Sequence, residues 1–183
     1  SMSGGHGGHV DPSSKKVAML ISVLALVLAI SETLGKGAQT TALNVNIEAA
    51  NLWNFFQAKT IRGTVLKTAA EEFEAELPSI TNAQAREAME KRIAEWKKNE
   101  ARYQSEPETG EGRKELMARA LAAEKRRDVS LAAYHNYEIA SAAVQIAIVL
   151  ASAEVITGVA AMVWASTGLG LIGIVFCTIG IFW

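Results

Sequence analysis

The feature that most constrains this chain is where its charges are missing. Of its 18 lysines and arginines, only Lys15 and Lys16 lie outside the segment from Lys36 to Asp128. The acids follow the same rule, with Asp11, Glu32, Glu138 and Glu154 as exceptions. Val17 to Leu34 is almost wholly apolar, and so are the stretches from about Tyr137 to Thr157 and from Val159 to Trp183. Runs of this length can cross roughly 30 Å of hydrocarbon as helices. The overall figures, 50% hydrophobic and 20% charged, would suit an ordinary globular domain, so the segregation decides the class. It points to an all-α integral membrane protein, with three transmembrane helices and a helical soluble insert between the first and second.

The expected segments follow. Residues 1–14 are a flexible Gly/His tail, and 15–35 the first span. Residues 36–136 are the insert, 137–157 the second span and 158–183 the third. Ser1 ahead of Met2 reads as a residue left by tag removal. A cleaved signal peptide is the competing reading of the first span. Its apolar run is too long for one, and no small-x-small cleavage site closes it. Asp11-Pro12 resembles a helix start, with an acid as cap and Pro at the first helical position.

In the insert, Val45, Ala49, Leu52, Phe56, Gly63, Leu66, Ala70, Phe73 and Leu77 fall on a three-four spacing broken by Lys59. That pattern predicts an amphipathic, coiled-coil-like helix over residues 38–77, ended by Pro78. Thr81 with Gln84 predicts a capping box for the next helix, whose seam is Met89, Ile93, Trp96 and Tyr103. Glu87–Lys91 and Arg86–Glu90 are spaced to pair across one turn. Ser105 to Gly112 (SEPETGEG) reads as a loop. A third helix from Arg113 should run unbroken into the second span, and Gly158 permits a tight turn into the third.

Each span carries small residues at three-four spacing. They are Ala18, Ser22, Ala25 and Ala29, then Glu32, on the first, and Ala140, Ala143, Ala147 and Ala151, then Glu154 and Gly158, on the second. On the third they are Ser166, Gly170, Gly173, Cys177 and Gly180. Small residues let helix backbones approach in lipid, so such stripes mark helix interfaces. They either pack one monomer or, for the third stripe above all, join protomers. Glu138, Ser141, Gln145 and Ser152 make a polar line along the second span. Glu138, Gln145 and Glu154 could line a water-filled track in an oligomer, and Glu154 sits at the level of Lys15 and Lys16 for an ion pair. Trp53, Phe55 and Phe56 are either insert core or a face for a protein partner.

The chemistry of an enzyme is missing from the motifs. No phosphate-binding loop, nucleophile elbow, HExxH or CxxC occurs, and Cys177 is the single cysteine. No cofactor, metal or catalytic residue is therefore expected, and a formal net charge of −1 gives no reason to expect nucleic acid. Two weak metal signals, His6 with His9 and Glu124 with Asp128 and His135, read better as a tail and a solvated face. Lys36, Arg119, Lys125, Arg126 and Arg127 flank the spans on the insert side, which favours a cytoplasmic insert in a bacterial inner membrane. Lys15 and Lys16 argue the other way.

Three stretches resemble a known family: AISETLG (Ala29 to Gly35), NIEAANLWNFFQAKTIR (Asn46 to Arg62) and YHNYEIASAAVQIAIVLAS (Tyr134 to Ser152). Together they resemble a bacterial domain-of-unknown-function family of small three-span membrane proteins. The resemblance implies the same arrangement of one span, an insert and a hairpin, and carries no activity or catalytic residue with it. In that family the second and third spans are usually joined by a basic turn, whereas Val155 to Val159 is uncharged here. The reading that results is a non-enzymatic scaffold or partner-binding subunit that embeds in a bilayer and self-associates. The alternative is an oligomeric channel or transport component.

Overall fold

The computed structural model describes residues 11–183, so the His6 and His9 expectation lies outside the described residues. Four helices, and no strand among the described residues, make up the chain. They are α1 (Pro12–Glu76), α2 (Ala83–Gln104), α3 (Arg113–Thr157) and α4 (Ala160–Phe182), with a 3-10 turn at Leu77–Ser79. α1 begins where Asp11 accepts a hydrogen bond from the Ser13 amide at 3.2 Å, which satisfies one otherwise unpaired N–H. It then continues for 65 residues without a break, because neither Gly nor Pro interrupts it strongly until Pro78. The cap of α2 corrects one expectation. Asn82, not Thr81, is the N-cap, and its side chain accepts from Gln84 N at 3.0 Å and Ala85 N at 3.1 Å. A helix that opens at Ala83 leaves Thr81 one residue too early to reach those amides.

The chain divides into two compact units. One comprises the chain to Ala42 together with Asp128–Trp183, and the other is Leu43–Arg127. In the first unit α3 turns into α4 at Gly158, whose φ of 70° is a conformation that side chains resist. α1, α3 and α4 pack there through Leu24, Val144 and Ala147, supported by Leu20, Leu28 and Leu169. A second cluster joins Tyr137, Ala140 and Cys177 with Leu34 and Phe176. All three helices are long and apolar enough to cross a membrane.

The insert unit packs differently. Val45, Ala49 and Leu52 of α1 meet Leu116, Ala120 and Ala123 of α3, with Trp53, Phe55 and Phe56 against them. Farther along α1, Phe73 and Trp96 meet edge to face at 5.2 Å, and Lys97 pairs with Glu74. The seam residues predicted from spacing thus face inward. Lys59, which interrupts that seam, is itself buried, with its ammonium 4.9 Å from the Tyr103 ring centroid and 5.4 Å from that of Phe55. An aromatic face attracts a cation, and this lets a lysine occupy a core position. The predicted surface pairs Arg86–Glu90 and Glu87–Lys91 form at 3.3 and 3.0 Å.

Candidate functional site

The small-residue stripes are used unequally. Ser166, Gly170, Gly173, Cys177 and Gly180 are all buried within the chain. A Cβ on Gly170 would lie 2.6 Å from Leu24 Cδ2, one on Gly173 2.5 Å from Val144 Cγ2, and one on Gly180 2.7 Å from the Tyr137 ring. Ser166 donates to the Ala147 carbonyl at 2.7 Å, a bond between α4 and α3. The third stripe is therefore occupied by the chain's own α1 and α3, the first of its two readings, packing within one monomer. Ala140, Ala143, Ala147 and Ala151 of the second stripe are buried too. The first stripe is not: Ala18, Ser22, Ala25 and Ala29 are exposed, and α1 packs instead through Val17, Leu24 and Ser31. Glycines on α4 form notches, and a notch takes a large knob, so the facing helix needs no small residues of its own.

The aromatic trio, read as either insert core or a partner face, is partly buried and packs against the insert core. The Trp53 indole donates to Glu124 Oε1 at 2.8 Å, Phe56 meets Trp53 at 5.4 Å, and Arg113 stacks over Phe56 at 5.1 Å. Large apolar groups of this unit that stay exposed lie elsewhere: Leu43, Ile47, Ile61 and Val65 on α1, and Met117 and Leu121 on α3.

The polar line of the second span divides. Glu138 and Gln145 face a cleft of about 530 Å³ in the apolar-helix unit, and Glu154 is not among its lining residues. Nor does any ion pair join Glu154 to Lys15 or Lys16 among the described residues. In that turn of α1 the inward residue is Val17, and both lysines are exposed. The cleft runs between α1, which supplies Ser31, Glu32, Lys36 and Gln39, and α3, which supplies Tyr134, Tyr137, Glu138, Ser141 and Gln145. Sequence spacing had grouped the α3 residues but gave no signal that α1 would answer them.

The cleft exists because of how Gly35 meets α3. A Cβ there would come 3.3 Å from Tyr137 Cβ, so the helices approach closely at this level. The Tyr137 ring turns toward Gly180 of α4, leaving the polar side of α3 open. Its carboxylates are loosely held. Gln145 Nε2 reaches Glu32 at 3.4 Å, Tyr134 Oη reaches Glu138 at 3.4 Å, and His135 Nδ1 lies 3.5 Å from Glu138. Charge-assisted hydrogen bonds usually close to about 2.7–2.9 Å. Lys36 is one turn from Glu32, yet it makes no ion pair among the described residues. Ser31, wholly buried, has its hydroxyl without a partner at the floor of the cleft.

No group of three or more His, Cys, Asp or Glu side chains placed to hold a metal occurs among the described residues, and Glu124 is engaged by Trp53. Compared with curated proteins and with solved structures, the chain gives no match. A family model does match it over residues 13–183, nearly the whole chain, so this four-helix protein belongs to the family described as a domain of unknown function, DUF4337.

Proposed function

We propose that this chain is a non-enzymatic scaffold of the bacterial cytoplasmic membrane that associates with a second copy of itself through the outer face of α1. The observation that carries the reading is a row of large aliphatic side chains in the charged insert. Leu43, Ile47, Ile61 and Val65 are between 59% and 65% exposed. Ile61 and Val65 repeat Leu43 and Ile47 about five helical turns later, so all four share a face. Large exposed aliphatic side chains that recur on one helix face, with Asn54 between the two pairs, suit an interaction site. Within one bilayer two copies share an orientation, so this face meets itself about a two-fold axis. The exposed small stripe Ala18, Ser22, Ala25 and Ala29 lies on the same helix and suits close approach inside the membrane.

Membrane insertion itself is supported by the exposed surface of the apolar unit. Met19, Leu26, Ile146, Val149, Leu171 and Val175 point outward. Trp164 near the start of α4 and Trp183 at its C-cap are both largely exposed. About 28 Å of helical rise separates them, close to a bilayer's hydrocarbon thickness, and tryptophan favours both boundaries.

Native mass spectrometry in mild detergents and in nanodiscs tests the reading. A dimer or larger oligomer is expected, and Ile61→Glu with Val65→Glu should convert it to monomer while helix content is kept. A wild-type chain that stays monomeric in both media removes the scaffold reading. It removes the channel alternative as well, because three helices alone enclose no aqueous pore.

A further inference from the structure

We propose that the cleft between α1 and α3 binds the head group of a phospholipid bearing a primary ammonium and a phosphodiester, as in phosphatidylethanolamine. The inference rests on the membrane reading above and is independent of self-association.

The position of the cleft fits a head group. Tyr137 lies against Gly180, less than one turn from Trp183 at the end of α4. Residues level with Tyr137 therefore stand near the boundary that Trp183 marks. Gln145 lies about 12 Å deeper along α3, so the cleft descends from the boundary into the region below it. A lipid lying beside the helices would place its polar end at this depth and its chains along the exposed aliphatic surface.

The chemistry of the lining narrows the ligand. Charges of both signs face one space without neutralising each other: Glu32 and Glu138 on one hand, Lys36 on the other. Both carboxylates are held only by the long contacts given above, and a carboxylate only accepts hydrogen bonds. A group rich in N–H donors answers them, which a primary ammonium is and a quaternary ammonium is not. Lys36 suits a phosphodiester, and the unpaired Ser31 hydroxyl can donate to a phosphate oxygen. A buried hydroxyl without a partner is costly, and a ligand oxygen removes that cost. A purely anionic head group would meet two carboxylates and one lysine, which is repulsive on balance.

The test uses the full chain, purified in mild detergent and exchanged into mixed micelles with equal parts phosphatidylethanolamine, phosphatidylcholine and phosphatidylglycerol. Retained lipid is read by native mass spectrometry. Phosphatidylethanolamine should be retained about tenfold over each of the others, equivalent to about 1.4 kcal/mol. Glu32→Gln with Glu138→Gln should abolish that preference. Equal retention of all three lipids, preference for phosphatidylglycerol, or a preference unchanged in the double variant overturns the proposal. So does soluble phosphoethanolamine bound as tightly as the lipid, which would assign the cleft to a free metabolite. If the double variant loses helix content by circular dichroism, Lys36→Gln replaces it. That variant changes an exposed side chain and must also lower phosphatidylethanolamine retention; unchanged retention overturns the proposal. Alkaline extraction of native membranes separates the two readings. A chain released by carbonate refutes membrane insertion, whereas a chain that stays embedded without lipid preference refutes only the head-group site.

Discussion

The two units are built from the same kind of helix and hold together by opposite means. In the insert the largest wholly buried side chain is Leu116, and Trp53, Phe55 and Phe56 pack against its cluster. In the apolar-helix unit the wholly buried side chains that stand out for size are Val144, Ser31 and Ser166. There side chains of the facing helices seat in notches at Gly170, Gly173 and Gly180, and at Gly173 the Ala140 carbonyl is close as well. On the membrane reading proposed above, water accounts for the difference. An insert surrounded by water gains from burying large apolar side chains, at about 25 cal/mol per Å². Helices surrounded by lipid gain little from that and rely on dispersion contacts and occasional hydrogen bonds such as Ser166 to Ala147.

One substitution made in both units should therefore have opposite signs, and the apolar unit should show the larger effect. A methyl added at Gly173 meets Val144 Cγ2 at 2.5 Å and the Ala140 carbonyl at 3.2 Å. Val144 is wholly buried and branched, so it cannot turn away, and the backbone carbonyl cannot yield. Gly173→Ala is expected to cost about 2–3 kcal/mol, at the upper end for overpacking, measured by steric-trap unfolding in bicelles. A cost below about 0.5 kcal/mol would mean that α4 is not seated this closely, and the comparison would fail.

In the insert, Gly63 is also a buried helical glycine, but the nearest atom to an added Cβ is Tyr103 Cβ at 3.9 Å, an ordinary contact. Here the methyl has room, and the intrinsic preference of alanine for helix decides. Gly63→Ala should stabilise the chain by about 0.5–1 kcal/mol in the same unfolding measurement. Destabilisation would show that α1 and α2 depend on backbone approach after all, and that the two units are less different than their side chains suggest.

This contrast also explains what the sequence could and could not reveal. The helix end at Pro78, the Ser105–Gly112 loop and the turn at Gly158 were legible because each is set locally, by Pro and Gly, whereas the first span and the helix over 38–77 prove to be one helix that continues through Gly35 and Gly37. The inward seam Val45, Ala49 and Leu52 was legible because polar residues surround it. Along the apolar stretches of α1, α3 and α4 most faces are apolar, so periodicity does not say which one is inside. The small stripe of α1 was read as an interface on equal footing with that of α4. Only the coordinates show that Leu24 is the knob for the Gly170 notch, and that Ala25 and Ala29 face outward. The cleft had half a signature, Glu138 and Gln145 on one helix face. The other half, Ser31, Glu32 and Lys36, lies more than a hundred residues earlier, and no local rule links the two.

The smallest expected effect concerns the Ser105–Gly112 loop of the insert, where charge rather than packing closes the chain. Glu115 accepts from the Ser105 hydroxyl at 2.6 Å and from the Glu106 amide at 3.1 Å. The Ser105 hydroxyl, and after it the Glu106 amide, holds the Glu115 carboxyl below the ordinary glutamate value of 4.5. Glu106 is held below it too, first by the hydrogen bond from Arg102. Gly112 is needed because a Cβ there would strike Glu115 Oε2, the Glu106 amide and Ser105 Cα. A carboxyl whose folded value is depressed contributes stability that is fully present above its ordinary value and is lost as pH falls through the folded value. The Ser105–Gly112 amides should thus lose protection from hydrogen exchange, corrected for intrinsic rates, as pH falls below about 4.5. Ser105→Ala should reduce that pH dependence while leaving α2 and α3 protected. Because these groups are exposed, the effect should stay within the loop. A global loss of protection in the same pH range would mean that carboxylates, not apolar side chains, hold the insert together, and would reverse the contrast between the two units.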